Sequence, residues 1–295
     1  MTVNEAVSAL VSYALRTGLI EECELTWATN TVLDALKLDG YTDPMTRWDA
    51  IDLAGVLDTL TETSYTADDL MEYFADKNIQ NLIVINPDNP SGNYIPKADL
   101  LRLIDWSKEN HIRLVIDESF VDFADEDDST VIEQRILSSN PHLYVMKSIS
   151  KSYGVPGLRL GVLASGDEDT IGKMKKDVAI WNINSFGEFY MQIAGKYKKD
   201  YASALAQIRA ERARFQNELS KIKSIRVIPS QANFIMVELE EGISSKELLK
   251  TLLIKYNLLI KELTTKTNGR NYLRLAVRNT ADNDALISAL KDVLG

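Results

Sequence analysis

The sequence predicts an α/β fold. A mostly parallel sheet fills the middle of the chain, a smaller α+β lobe follows it, and an all-helical segment precedes it. Three observations carry this reading. Apolar runs of strand length recur at Leu82-Ile85, Leu114-Ile116, Leu143-Met146 and Leu160-Ala164. A helical stretch, Lys97 to Asn110, lies between the first two, and strands alternating with helices imply βαβ units and a parallel sheet. Residues 1 to about 70 hold only amphipathic stretches of helical period, separated by Gly18, Gly40-Tyr41 and Asp43-Pro44.

The later elements follow in order. After about Asp167 a long helical region runs to Lys223, with a break expected near Asn182-Ser185. Short strand signals come at Arg226-Ile228, Phe234-Glu238 and Tyr272-Val277, and helical stretches at Ser245-Tyr256 and Thr280-Leu294. The expected domains are a helical segment at 1–70, a large ligand-binding domain at 71–190 and a small C-terminal domain at 191–295. The acidic run Asp125-Glu126-Asp127-Asp128 reads as a solvated loop.

Composition narrows the class of function. The 295 residues carry 33 basic and 43 acidic side chains, a net charge of −10. That balance argues against a nucleic-acid surface and against anionic membranes. Cys23 is the single cysteine, so no internal disulfide is possible and a reducing compartment is expected. His111 and His142 have no partners at metal-ligand spacing, so no metal site is expected. No apolar run is long enough to span a bilayer, and the N-terminus lacks the basic start of a signal peptide. These features lead us to expect a cytoplasmic protein.

Four segments near expected strand ends carry chemistry, where ligands of open α/β sheets bind. Around Lys151, small hydroxyl residues (Ser148, Ser150, Ser152) are followed by three glycines and Arg159. A lysine held at a strand end can lose its proton more easily and attack a carbonyl. Hydroxyls and an arginine fork are donors suited to a phosphate. Pyridoxal 5'-phosphate carries both an aldehyde and a phosphate. Asp117 closes the second strand run, where a carboxylate can pair with a protonated pyridine nitrogen. Asn89 sits in a turn set by Pro87, Pro90 and Gly92. Arg274, in the last strand signal, suits a bidentate carboxylate.

The order Asn-Pro-x-Asn-Pro-Ser-Gly, Asp-Glu-Ser-Phe-x-Asp-Phe, Ser-x-Ser-Lys and Gly-x-Arg-x-Gly resembles the fold-type I pyridoxal-phosphate enzymes of aminotransferase class I/II over about 76–295. The likeness is strongest to histidinol-phosphate aminotransferases and threonine-phosphate decarboxylases. It implies that Lys151 forms the internal Schiff base and then shuttles the substrate proton. Asp117 would pair with the pyridine nitrogen and Asn89 with the phenolic oxygen. Ser148, Ser150 and Arg159 would hold the phosphate, and Arg274 the substrate carboxylate. A small amino donor and a keto acceptor, and a homodimer, are the expected partners. Decarboxylation of a phosphorylated amino acid is the alternative reaction.

Two departures stand out. Phe120 replaces the family's usual tyrosine, so one hydrogen bond to the phenolic oxygen is missing and the Schiff base is expected to keep its proton to higher pH. The second lies before Asn81, where the family's glycine-serine phosphate loop, ring-stacking aromatic and first strands have no counterpart. Instead, Tyr13 to Glu21 and Asn30 to Tyr41 resemble the extreme N-terminus of bacterial class II galactose-1-phosphate uridylyltransferases. The expectation is therefore a chimera or truncation: a helical head joined near Met71 to the later part of an aminotransferase, with a truncated sheet. Its other alternative is an inactive remnant with weak or no cofactor binding.

Overall fold

The computed structural model describes residues 64–263 and 271–295. Residues 1–63 of the expected helical head, with Cys23 and the likeness carried by residues 13–41, lie outside them.

The first sheet is built from the four apolar runs: β1 (Asn81–Ile85), β2 (Arg113–Asp117), β3 (Leu143–Ser148) and β4 (Gly161–Ser165), hydrogen-bonded in that order. β1, β2 and β3 are parallel. β4 runs antiparallel to β3, because the chain doubles back over residues 149–160 and pairs Gly161 with Ser148.

Alternation along each strand separates the two faces. Leu82, Val84, Leu114, Ile116, Leu143 and Val145 form one core with residues of three helices. These are α1 (Ala67–Phe74), α2 (Lys97–Glu109) and α3 (Gln134–Ser139). The opposite face carries Val115, Tyr144 and Met146, and Asp117 follows Val115 on that face by strand period.

The long helical region resolves into α5 (Glu168–Asp177), α6 (Ser185–Ala194) and α7 (Lys198–Leu219). A short α4 (Ile149–Ser152) precedes them. The expected break is real and has a cause at each side. Val178 leaves helical geometry (ψ 145°), and the Asn184 side chain accepts the Gly187 N–H at 2.9 Å to start α6. The second sheet is antiparallel, in the order β5 (Ile225–Val227), β6 (Phe234–Leu239), β8 (Tyr272–Ala276), β7 (Lys261–Glu262). Phe215 and Leu219 of α7 cover one face with α8 (Ser245–Tyr256) and α9 (Thr280–Leu294). Among the described residues no helix is long and apolar enough to cross a membrane.

Arg212 of α7 joins the two lobes. Its side chain is 1% exposed. It donates to Phe123 O at 2.6 Å and Ala232 O at 3.2 Å, and pairs with Asp125 at 2.7 Å. Asp125, Asp127 and Asp128 of the acidic run are exposed, as a solvated loop requires, but the run also makes bonds. Asp125 answers a buried cation, and Glu126 accepts from the Tyr94 hydroxyl at 2.6 Å, while the Asp127 side chain is in solvent. A second junction lies at Gly92 (φ +77°), whose carbonyl accepts the Gln231 N–H at 2.9 Å. A Cβ at Gly92 would fall 2.1 Å from Ser230 Oγ, so the approach requires glycine.

Candidate active site

The carboxyl ends of β1, β2 and β3 lie side by side, and backbone bonds continue the pairing past them. Asn86 N donates to Asp117 O at 2.9 Å, and Glu118 N donates to Met146 O at 2.7 Å. Four of the expected site segments meet at this edge.

Asp117 ends β2 with its residue 5% exposed. Burial pushes its carboxyl above the usual range, and hydrogen bonds from Ser119 push it partly back. Ser119 donates twice to Asp117 Oδ1: from its N–H at 2.9 Å and from its hydroxyl at 2.5 Å. The same hydroxyl accepts the Ser148 N–H at 3.1 Å. Asp117 is thereby tied to the last residue of β3.

Ser148 caps α4, accepting the Ser150 N–H at 3.3 Å, and Lys151 follows in that turn. Lys151 Nζ sits 5.5 Å from the Phe120 ring centroid, three residues after Asp117. Ser150 is buried. A further set of bonds steadies the turn: Asp122 accepts from Lys147 Nζ at 2.6 Å and from the Ser152 hydroxyl at 2.7 Å. Arg159 is exposed, in left-handed geometry (φ 56°), and donates to Pro156 O at 3.2 Å. It lies two residues before Gly161, the strand partner of Ser148.

Asn89 is held by a turn that side chains as well as prolines define. Asp88 accepts the Ser91 N–H at 3.0 Å and the Ser91 hydroxyl. Asn86 brackets Ile95, donating to its carbonyl at 3.0 Å and accepting its N–H at 2.7 Å. Arg274 of β8 donates to Asn89 Oδ1 at 2.7 Å and lies 5.1 Å from the Phe234 ring. This bond brings the expected carboxylate-binding residue from the small lobe to the expected cofactor-binding residue of the large one.

Lys147 and Arg212, which have a part in this geometry, escaped the sequence reading, while Ser119 and Asp122 entered it only within a motif, with no role of their own. For Ser119 a signal existed. A serine two residues after an aspartate at a strand end is placed to bond it locally. Trp181 is 89% exposed and is not core. Tyr153 stacks on Tyr201 at 4.2 Å, and Arg278 pairs with Asp282 at 2.7 Å. Among the described residues no group of three or more His, Cys, Asp or Glu is arranged to hold a metal.

Comparison with known proteins gives a family match over residues 49–290: aminotransferase class I and II. The chain belongs to this family. The match starts ahead of the motif block and takes in both lobes.

Two curated relatives are the CMP-5'-(3-aminopropyl)phosphonate synthase of Streptomyces rubellomurinus and the L-serine phosphate decarboxylase of Sulfurospirillum multivorans. The first is 34% identical, over 74% of this chain and 34% of that protein. The second is 30% identical, over 78% of this chain and 60% of that protein. The chain thus spans between about a third and three-fifths of the length of these relatives. A solved decarboxylase from Sulfurospirillum multivorans is similar with a TM-score of 0.72 and 30% identity, over 79% of this chain and 67% of that one. Histidinol-phosphate aminotransferases are among the relatives as well. Members of the family typically bind pyridoxal 5'-phosphate.

Proposed function

We propose that this chain is a pyridoxal-phosphate-dependent enzyme of aminotransferase type, acting on an amino acid or amino-alcohol phosphate, with Lys151 carrying the cofactor. The observation that supports it is the bonded path from buried Asp117 through Ser119 to Ser148, which opens the turn holding Lys151. When bound, the cofactor supplies an aldehyde that condenses with amines and a ring that draws electrons from the substrate α-carbon.

The donor set fits that group. Asp117 is the buried acid for the ring nitrogen, and an opposite charge there favours its ionised form. Asn89 gives its oxygen to Arg274, so its amide N–H is the end that serves the phenolic oxygen. Ser148, Ser150 and Arg159 are the phosphate donors. Arg274 takes the substrate carboxylate in a two-pronged pair. Lys151 Nζ moves the proton at the α-carbon. We also propose that the enzyme works as a homodimer.

The second reading is decarboxylation of a phosphorylated amino acid, favoured by the 30% identity to a decarboxylase of that kind. Incubation with the cofactor followed by borohydride tests the common core: a reduced adduct mapped to Lys151 is expected. Its absence at saturating cofactor overturns both readings in favour of an inactive chain. Assay of O-phosphoserine, O-phosphothreonine and histidinol phosphate then separates them, since one reading releases carbon dioxide and the other a keto product. Light scattering checks the dimer.

A further inference from the structure

We propose that Ser119 is a positioning residue whose hydroxyl orients the Asp117 carboxylate, supports its charge and keeps it in register with the turn that carries Lys151. The purpose of this arrangement rests on the cofactor reading above; its measurement does not.

Both donors of Ser119 converge on one carboxylate oxygen, Asp117 Oδ1, at 2.9 Å from the backbone and 2.5 Å from the hydroxyl. That leaves Asp117 Oδ2 as the oxygen for a ring N–H. The hydroxyl has a single proton, and with the Ser148 N–H bonded to its lone pair at 3.1 Å that proton is committed to Asp117. The orientation of the pair is therefore fixed from two strands. Donation to a carboxylate favours the ionised form, against the burial that disfavours it.

The second half of the inference concerns register. The parallel ladder between β2 and β3 ends where Glu118 N reaches Met146 O. The Ser119 hydroxyl adds one side-chain bond beyond that point, to the residue at which β3 turns into α4. Removing it leaves the Lys147 and Ser152 bonds to Asp122, farther from the Asp117 carboxylate, as side-chain links between the two ends.

Asp117 can be titrated in the cofactor-free protein by carbon-13 NMR of carboxyl-labelled aspartate, with Asp117→Asn identifying its signal. Ser119→Ala is expected to raise the midpoint by on the order of one pH unit. It is also expected to speed exchange of the Ser148 amide by about tenfold, as loss of one charge-linked bond implies. Ser119→Thr keeps a hydroxyl and leaves both readings near those of the unchanged protein. Ser119→Cys, a weaker donor, shifts the midpoint less, and gives the same decision should Ser119→Ala fail to fold. An unshifted midpoint, or unchanged Ser148 exchange, in the Ala variant, or in the Cys variant where Ala does not fold, overturns the inference. A parent chain that forms no borohydride adduct overturns the cofactor reading instead, while the Asp117 titration still reports on Ser119.

Discussion

At the scale of single residues, Asp117 is kept buried at a cost. Its carboxyl is raised above the ordinary range by burial, partly offset by the Ser119 bonds, so its ionised form is less favoured than in the unfolded chain. The sign follows: the penalty is absent below the unfolded pKa of about 3.9 and complete above the folded one. Asp117→Asn is expected to stabilise the cofactor-free protein at pH 7–8, while abolishing tight cofactor binding. Thermal unfolding across pH checks it: the gain must shrink toward zero as pH falls to about 4. Phe120 gives a second test. It is buried against Phe234, with ring centroids 5.2 Å apart, and faces Lys151. Phe120→Tyr is expected to lower the pH midpoint of the bound cofactor's absorbance, by on the order of one unit. An unmoved midpoint would remove Phe120 from any role in holding that proton.

At the scale of elements, α4 is four residues long and cannot hold itself together by helix propensity. Asp122 does that work from outside, through Lys147 and Ser152. Asp122→Asn is expected to speed amide exchange across residues 149–153 by about tenfold, with the sheet unaffected. α7 and α9 are joined by Glu211, which accepts from Arg214, Thr280 and Asn283. Arg214 first, then Asn283 and Thr280, hold its acid down at about 2. A depressed acid contributes stability above its unfolded pKa and loses it as pH falls through the folded one. Glu211→Gln is therefore expected to cost about 1 kcal/mol near pH 7. Denaturant melts should show that gap closing between pH 4.5 and about 2. These elements differ in how far they were legible. The four strands of the first sheet were, because each apolar run is isolated by polar turns. α8 and α9 were too, since Ser244 and Asn279 cap them at their starts. α4 and the two-residue β7 were not, being shorter than any period. Nor was the helix start at Lys198, where no side-chain cap is present.

At the scale of the whole molecule, the two lobes meet through polar contacts and an apolar cluster of Phe120, Phe123, Ala232 and Phe234, and the candidate site lies where they meet. Arg212 is one of these junctions. Because Asp125 is 60% exposed, its charge can return to water when Arg212 is lost; the carbonyls of Phe123 and Ala232 cannot. Arg212→Met is expected to cost about 2–4 kcal/mol, read as a lower urea midpoint. The candidate site residues with their own chemistry (Lys151, Asp117, Asn89, Arg274) were legible as motifs. What joins them was not. The Ser119 bond to Ser148 and the Arg274 bond to Asn89 span long stretches of sequence, and only the folded sheet edge brings them together. One surface feature has a practical result. Trp181 at 89% and Ile180 at 93% exposure stand on the same open stretch as Phe186 and Phe189. An indole so bare to solvent emits at long wavelength and is open to quenching by iodide, so anything that settles on that stretch will announce itself as a blue shift.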